Sequence, residues 1–433
     1  MQPAELFRGD AVHRDAYISP AVFACEMQRL WARSWLYAAH ASQIPAAGDF
    51  VAVTLGSQPS LVVRQEDGSV AVIANRCAHK GAPITTEPAG RFDRALRCPY
   101  HGWAYRLDGR LIGQPLPAGY AGTGFGSCEA AAGLDRHAGV AQHRGFIFAR
   151  RRAQGPDFDS WAGELKSALD LLADRSPQGE LRLAGGVLRT TIRANWKIVL
   201  ENINDAVHPV TAHRSAADAA QAIWQPVAPG QPTPPALQQL LPFGSGYGFF
   251  EQMGGRLLPH GHTVLGTQHS IHSAYDAIPG YADALAAAHG PTRTRAVLGF
   301  VPQNVVFYPS MALKGAPQVM RVLRPLAADR TVLEAWAFEA VGAPDELLRQ
   351  ALGYNRMAFS PASIIAADDL HIFEAMQQAL AADGNAWVSL HRDARGAGAT
   401  VPRDVSGVDE ALLRHAYAAW AAALSMPDPA GPA

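Results

Sequence analysis

The feature that most restricts what this chain can fold into is an ordered set of four metal-ligating side chains in its first quarter. Cys77 is followed two positions on by His79. After the sixteen residues from Ala82 to Arg97 comes Cys98, with His101 three positions beyond it. Gly81 borders the first pair, and Pro99 and Gly102 frame the second. Residues of these types break strands and build tight turns, so each pair belongs to a loop. Two such loops can aim two sulfurs and two imidazoles at one object. Cys25 and Cys128 stand apart and read as ordinary small hydrophobes. Four cysteines in 433 residues make no disulfide scaffold.

Zinc also accepts two Cys and two His, but a zinc finger keeps its cysteines together and sets its histidines together on a helix. Here the order is Cys-His-Cys-His, in loops between short strands. A Rieske [2Fe–2S] centre requires that alternation: one Cys from each loop on one iron, and one His from each loop on the other. Cys77, His79, Cys98 and His101 are therefore the expected cluster ligands. Such a cluster stores one electron and does no substrate chemistry itself. A dedicated carrier needs on the order of 110 residues, so the rest of this chain is expected to use the electron.

The hydropathy pattern supports that division. Residues 20–37 carry apolar side chains at near-helical spacing, with Pro20 suited to a first turn. From Asp49 the pattern turns to short alternating strands, with Asp67-Gly68 and Asp108-Gly109 as hairpin turns and a further strand or two over 139–151. Arg150, Arg151 and Arg152 read as the exit of that last strand into solvent. Beyond it, residues 160–175 form an amphipathic helix, and a mixture of strands and helices follows. Segment 214–243, rich in Ala, Gln and Pro, reads as a mobile excursion or lid. The expected organisation is a helical part over 1–37, an all-β unit over 38–150 and an α+β unit with much antiparallel sheet over 151–433.

A second constellation lies in the α+β unit. Asp205, His208 and His213 occur within nine positions. On a helix Asp205 and His208 share a face. His208 and His213, five apart, diverge by about 140° in a regular helix, and Pro209 supplies the distortion that brings them together. Two histidines and one carboxylate around iron leave positions open for oxygen and substrate. Asp205 is better placed to accept a hydrogen bond from a ligand histidine, so the carboxylate comes from elsewhere. The adjacent Asp368 and Asp369 open a later helical run, where capping is the competing reading. His260, His262, His269 and His272 alternate as on a strand and read as pocket wall or surface.

These stretches, in this order and at these separations, resemble the large (α) subunits of Rieske non-haem iron aromatic ring-hydroxylating oxygenases. The resemblance covers essentially the whole chain. It implies an all-β Rieske domain inserted in a helix-grip (Bet v 1-like, START-like) catalytic domain with a large antiparallel sheet. It assigns His208, His213 and Asp369 to mononuclear Fe(II), and it places Asn202, Ala206, Phe359 and Ile365 near the substrate. It gives Asp205 the task of joining an iron histidine to the Rieske histidine of a neighbouring subunit. That makes an α3 or α3β3 oligomer part of the machine. Two departures are mild: Lys80 stands where the family commonly has Arg, and Val207 where an aromatic residue is frequent.

The implied activity uses O2 and NAD(P)H electrons, delivered by a reductase with or without a ferredoxin, to hydroxylate an aromatic substrate. Cis-dihydroxylation of the ring comes first. Monooxygenation or demethylation is the alternative, and a non-enzymatic Rieske electron carrier is the rival of another class. Carboxylated rings rank ahead of plain hydrocarbons, with Arg321 and Arg324 as candidate anion contacts; solvent exposure or fold support is the competing reading of both. With 37 Lys and Arg against 38 Asp and Glu there is no concentrated positive field for nucleic acid. No apolar run reaches the length of a membrane span, and the expected location is cytoplasmic.

Overall fold

The computed structural model describes residues 3–224, 230–231, 233–272, 278–395 and 400–427. The chain forms two compact units. One is Trp31–Phe158, and the other joins Met1–Leu30 to Asp159–Asp428, so the first is an insertion in the second.

The inserted unit is all-β apart from short helical turns. Its strands are β1 (Leu36–His40), β2 (Asp49–Leu55), β3 (Gln58–Arg64), β4 (Val70–Ala74), β5 (Ala89–Arg91), β6 (Leu96–Arg97), β7 (Ala104–Tyr105), β8 (Leu111–Gly113), β9 (Gly139–His143) and β10 (Phe146–Arg150). They pair in the orders β4-β3-β2-β5, β6-β7-β8 and β9-β10-β1. The Asp67-Gly68 turn joins β3 to β4 as its sequence requires: Gly68 takes a φ of 82°, and Asp67 Oδ1 accepts from Ser69 N at 2.9 Å. Phe50, Leu61, Val63, Ile73, Trp103 and Tyr105 form one core that also encloses Cys77 and Cys98. The strand ending at Arg150 does not simply run out into solvent. Arg150 is buried, lies 4.9 Å from the Trp35 ring centre and donates to the carbonyls of Pro156 and Ala153.

The larger unit is built on one antiparallel sheet. Its strands are β11 (Leu181–Ile192), β12 (Gly255–Leu257), β13 (Thr263–Leu265), β14 (Asn304–Phe307), β15 (Met311–Lys314), β16 (Val319–Ala327), β17 (Arg330–Ala340) and β18 (Arg403–Val405). Their order is β11-β17-β16-β15-β14-β13-β12-β18. Its principal helices are α1 (Trp196–Ile203), α2 (Arg214–Ile223), α3 (Asp345–Phe359), α4 (Ile364–Ala381) and α5 (Ala411–Ser425). The N-terminal helix expected over 20–37 is shorter: Pro20–Glu26 passes into a π turn at Met27–Trp31, and β1 begins at Leu36. Segment 214–243, expected to be a mobile excursion or lid, carries α2 and a second helix at Pro235–Leu240, while 225–229 and 232 lie outside the described residues. Among the described residues no helix is long and apolar enough to cross a membrane.

Helix α1 carries the second constellation, and its first three residues explain how it is held. Asn195 caps it, accepting from Lys197 N at 3.0 Å, while its amide donates to the carbonyls of Tyr17 and Ala328. Trp196 and Lys197 are buried, and both donate to the equally buried Glu26, as does the Trp420 indole at 2.7 Å. A buried charge pair is tolerable only with its remaining hydrogen-bonding capacity filled. The two indoles fill it, and they fix the axis of α1 in the process.

Candidate metal centres

The two loops of the inserted unit share one construction. Cys77 N donates to Ala82 O at 2.7 Å, and Cys98 N donates to Trp103 O at 2.8 Å. Each cysteine carbonyl then accepts from the glycine four residues on, Gly81 or Gly102. Those glycines have φ of 77° and 69°, a region that other residues enter only at a cost. Both cysteines are buried and unpaired, whereas His79 is half-buried and His101 exposed. The imidazole rings lie 4.6 Å apart, and His79 stacks on Trp103. His79 Nδ1 is buried without a hydrogen-bond partner. A ring nitrogen in that position costs free energy unless something binds it. Two buried thiols and two less buried imidazoles are a donor set that would hold a [2Fe–2S] cluster. Tyr105 adds a hydroxyl 3.1 Å from Cys77 Sγ, a contact of the kind that tunes cluster potential. Cys25 and Cys128 lie outside these loops and in no disulfide; Cys25 is partly buried, but Cys128 is exposed and so is not the buried small hydrophobe expected.

In the larger unit α1 ends at Ile203, so Asp205 and His208 do not share a regular helix as expected. Asp205 instead builds the turn that follows. Its Oδ1 accepts from Val207 N at 3.1 Å, and its Oδ2 from His208 N at 2.8 Å and from His208 Nδ1 at 2.9 Å. Burial alone would raise the Asp205 carboxyl, but the hydrogen bonds from His208 and the backbone outweigh it and hold it low. Pro209 then starts a single helical turn, Pro209–Ala212, which sets His213 with its ring 5.4 Å from that of His208.

Asp368 and Asp369 are not caps. Ser363 caps α4 by accepting from Ala366 N, and the two aspartates fall in the second turn. Asp369 Oδ1 lies 3.9 Å from His208 Nε2 and 3.4 Å from His213 Nε2. One ligand atom from each of the three lies within 4.8 Å of the others, and among the described residues this is the group of such side chains that can converge on a metal. The other ring nitrogens are occupied: His208 Nδ1 by Asp205, and His213 Nδ1 by Asp368 at 3.4 Å. Each histidine thus turns Nε2 toward the shared point, the arrangement in which outer carboxylates orient metal-ligating imidazoles. Burial lowers the His213 pKa, but Asp369 and Asp368 reverse that and leave it raised. The donor set of two neutral nitrogens and one carboxylate suits mononuclear Fe(II) with open positions. Nothing in the sequence singled out Asp368 beyond its adjacency to Asp369.

These three residues form part of the wall of a cavity. Asn202, Ala206, Phe359 and Ile365 line it, and Asn202 Nδ2 lies 3.0 Å from His208 Nε2 and 3.1 Å from Asp369 Oδ1. The four later histidines form no metal site. His262 accepts from Tyr308 N on Nδ1 and meets Trp161 O with Nε2, and burial pushes its pKa down to about 3. His272 bonds Gln239 and Tyr354 behind the cavity, and His269 meets Phe249 O. His260 is exposed, at a φ of 63°. Of the two arginines weighed as anion contacts, Arg321 lines the cavity, whereas Arg324 pairs with Glu334 at 3.4 Å away from it.

One turn before the site, Glu201 accepts from Tyr17 at 2.7 Å and from Tyr417 at 2.5 Å. Burial pushes its carboxyl up to about 7, with the two hydroxyls and Lys197 opposing. A folded-state pKa above the unfolded value adds stability that is complete below about 4.5 and is lost as pH rises through 7. Glu201→Gln is therefore expected to raise the melting temperature by about 2–4 °C at pH 8 and to leave it nearly unchanged at about pH 4. Calorimetry at the two pH values checks this.

The two centres define a class: an oxygenase with a Rieske cluster and a separate mononuclear iron. More particularly, the chain belongs to the ring-hydroxylating dioxygenase α subunits. The Rieske [2Fe-2S] domain profile matches residues 34–123, and that of the ring hydroxylating alpha subunit catalytic domain matches 158–426. The chain is 29% identical over 392 residues to the large subunit of anthranilate 1,2-dioxygenase from Acinetobacter baylyi, covering 88% of this chain and 80% of that one. It is also 29% identical over 368 residues to the α subunit of an N,N-dimethyl phenylurea N-demethylase from Sphingobium, with 82% and 76% covered. Naphthalene 1,2-dioxygenase with indole bound shares the fold, with a TM-score of 0.77 at 23% identity over 98% of this chain and 95% of that one. The enzyme is thus a terminal oxygenase component. Its cofactors are a [2Fe–2S] cluster and a mononuclear iron.

Proposed function

We propose that this subunit cis-dihydroxylates an aromatic ring, with Cys77, His79, Cys98 and His101 holding the cluster and His208, His213 and Asp369 holding the iron. The ring takes up both atoms of O2 together with two electrons and two protons. The observation that carries the reading is the meeting of two imidazole Nε2 atoms and one carboxylate oxygen at the wall of a cavity with both apolar and polar lining. Iron bound there supplies the activation of dioxygen. The protein supplies the rest. Phe243, Phe250, Ile271 and Phe359 shape an apolar bed for the ring. Asn202, Ala206 and Ile365 place it beside the metal ligands, and Asp205 and Asp368 keep the imidazoles turned inward.

On the same reading the Rieske unit spans 38–150, and 1–37 with 151–433 forms the catalytic unit. The oligomer is α3 or α3β3, the cluster of one subunit serving the iron of the next. Two features support that arrangement. His101 and Tyr100 are exposed at the cluster, and Asp205 faces a surface groove shared with Ile372, Met376 and Arg392. The likeness to an N-demethylase supports monooxygenation as the second reading. A ferredoxin between reductase and cluster belongs to either scheme.

Low-temperature EPR of anaerobically purified enzyme tests the proposal. A rhombic signal appearing on dithionite reduction, with a high-spin ferric signal that shifts when an aromatic compound is added, is the expected result. Analysis of the oxygenated product then separates diol from demethylated or singly hydroxylated compound. A cluster signal with no specific ferric site in fully iron-loaded protein overturns it.

A further inference from the structure

The inner face of the large sheet holds two cations that the chemistry described so far does not use. Arg321 on β16 lies directly opposite Ala312 of β15, and Lys314 follows two residues along the same strand. Residues two apart on a strand share a face, so Lys314 and Arg321 project from the same side. Asn304, one step beyond the Val305–Leu313 pair, joins them there. All three line the cavity of the mononuclear centre.

Lys314 is 4% exposed and Arg321 7%. Among the described residues neither has a carboxylate partner. Lys314 Nζ donates to Gln303 O at 3.0 Å, and one Arg321 nitrogen donates to Asn304 Oδ1 at 2.6 Å. Arg321 Nε is buried without a partner. An ammonium has three donors and a guanidinium five, so most of this capacity is unspent. Two buried cations without an anion are costly. Burial makes both groups less basic, and Arg321 falls to about 10. Tyr354, Gln239 and His272 add hydrogen bonds nearby but no full charge, and the anion that acts on both cations is Asp369, beyond ion-pair distance.

We infer that Lys314 and Arg321 form an anion subsite of the cavity, and that the ring oxygenated here carries a carboxylate held by them. This rests on the ring-oxygenase reading above. The guanidinium offers a planar fork that matches a carboxylate, and the ammonium beside it adds a point charge. Arg321 lies 5.0 Å from the Phe359 ring centre, so the anion site adjoins the apolar bed that takes the ring. The substrate is therefore polarised across the cavity, with its charged end at the sheet and its reacting carbons at the metal ligands. A neutral ring would leave both cations unpaired.

The test is calorimetric binding to anaerobic holoenzyme, using benzoate and 2-naphthoate against the neutral benzamide and 2-naphthamide. The acids are expected to bind at least about 30-fold tighter than their amides. Arg321→Met should bring acid affinity down to the amide level, Lys314→Met should lower it by roughly tenfold, and Arg321→Lys should restore part of it. Cluster absorbance and iron content should stay unchanged in each variant. Should Arg321→Met fail to fold, Lys314→Met and the wild-type acid-to-amide ratio carry the test. Equal binding of acids and amides by the wild type, with turnover of the neutral rings, overturns the subsite and leaves the ring-oxygenase reading standing. Binding of neither class, with no shift of the ferric EPR signal, overturns both.

Discussion

Replacing Asp369 with alanine leaves a protein that still reduces and reoxidises its cluster but holds almost no mononuclear iron and turns over no substrate. The expectation follows from where each proposed ligand comes from. His208 and His213 belong to one short stretch after α1, and the carboxylate arrives from α4, far along the chain. Its Oδ1 lies 3.9 and 3.4 Å from the two Nε2 nitrogens and is the carboxylate oxygen that completes the group. Without it two neutral imidazoles face the metal with no compensating charge. Losing an outer-shell partner typically costs 10–100-fold in metal affinity, so losing the anionic ligand itself should cost more than roughly 100-fold. The cluster's four residues lie in the other compact unit and are untouched. Iron analysis beside EPR of the reduced protein measures both quantities in one sample. Retention of stoichiometric, substrate-responsive ferric iron would remove Asp369 from the ligand set. Asp368, already at 3.4 Å from His213 Nδ1, would then be the carboxylate to examine.

How much of this was legible in the sequence depends on how local each interaction is. The cluster loops could be read directly because each is closed within six residues, from Cys77 to Ala82 and from Cys98 to Trp103, by its own backbone hydrogen bonds. The hairpin turns were legible for the same reason. The carboxylate from α4 could not be settled by pattern, since Asp368-Asp369 near a helix start is equally a cap. Only Ser363, taking that role, releases them. The bend between Asp205 and His213 was expected, but its means was not. The helix stops at Ile203, and Asp205 folds the following turn on its own carboxylate. Lys314 gave no sequence signal at all. On a strand buried on both faces its alternation is hidden among apolar neighbours, and only the register with Arg321 shows that the two share a side.

That turn decides how Asp205 should be tested. Alanine would remove the charge and, with it, the acceptors for Val207 N and His208 N that shape the approach to the metal. Asparagine keeps one acceptor oxygen and nearly the same volume while removing the charge, so Asp205→Asn isolates the electrostatic role. If Asp205 serves mainly to carry electrons past His208, both centres assemble at wild-type occupancy. Steady-state turnover then falls by at least about 100-fold, and the fall lies in the transfer from reduced cluster to iron. Rapid-mixing absorbance of the reduced cluster against O2 and substrate would show it as slowed reoxidation. If Asp205 is chiefly the orienter of His208, the Nδ1–H contact at 2.9 Å weakens and mononuclear iron is lost along with activity. Added ferrous iron would then recover part of the rate. The geometry favours the first outcome for asparagine and the second for alanine. The backbone bonds that asparagine can retain are what hold His208 in place, and the negative charge, with Arg392 3.7 Å away from the same carboxylate, is what only aspartate provides. Comparing the two variants separates the scaffold of the turn from its charge.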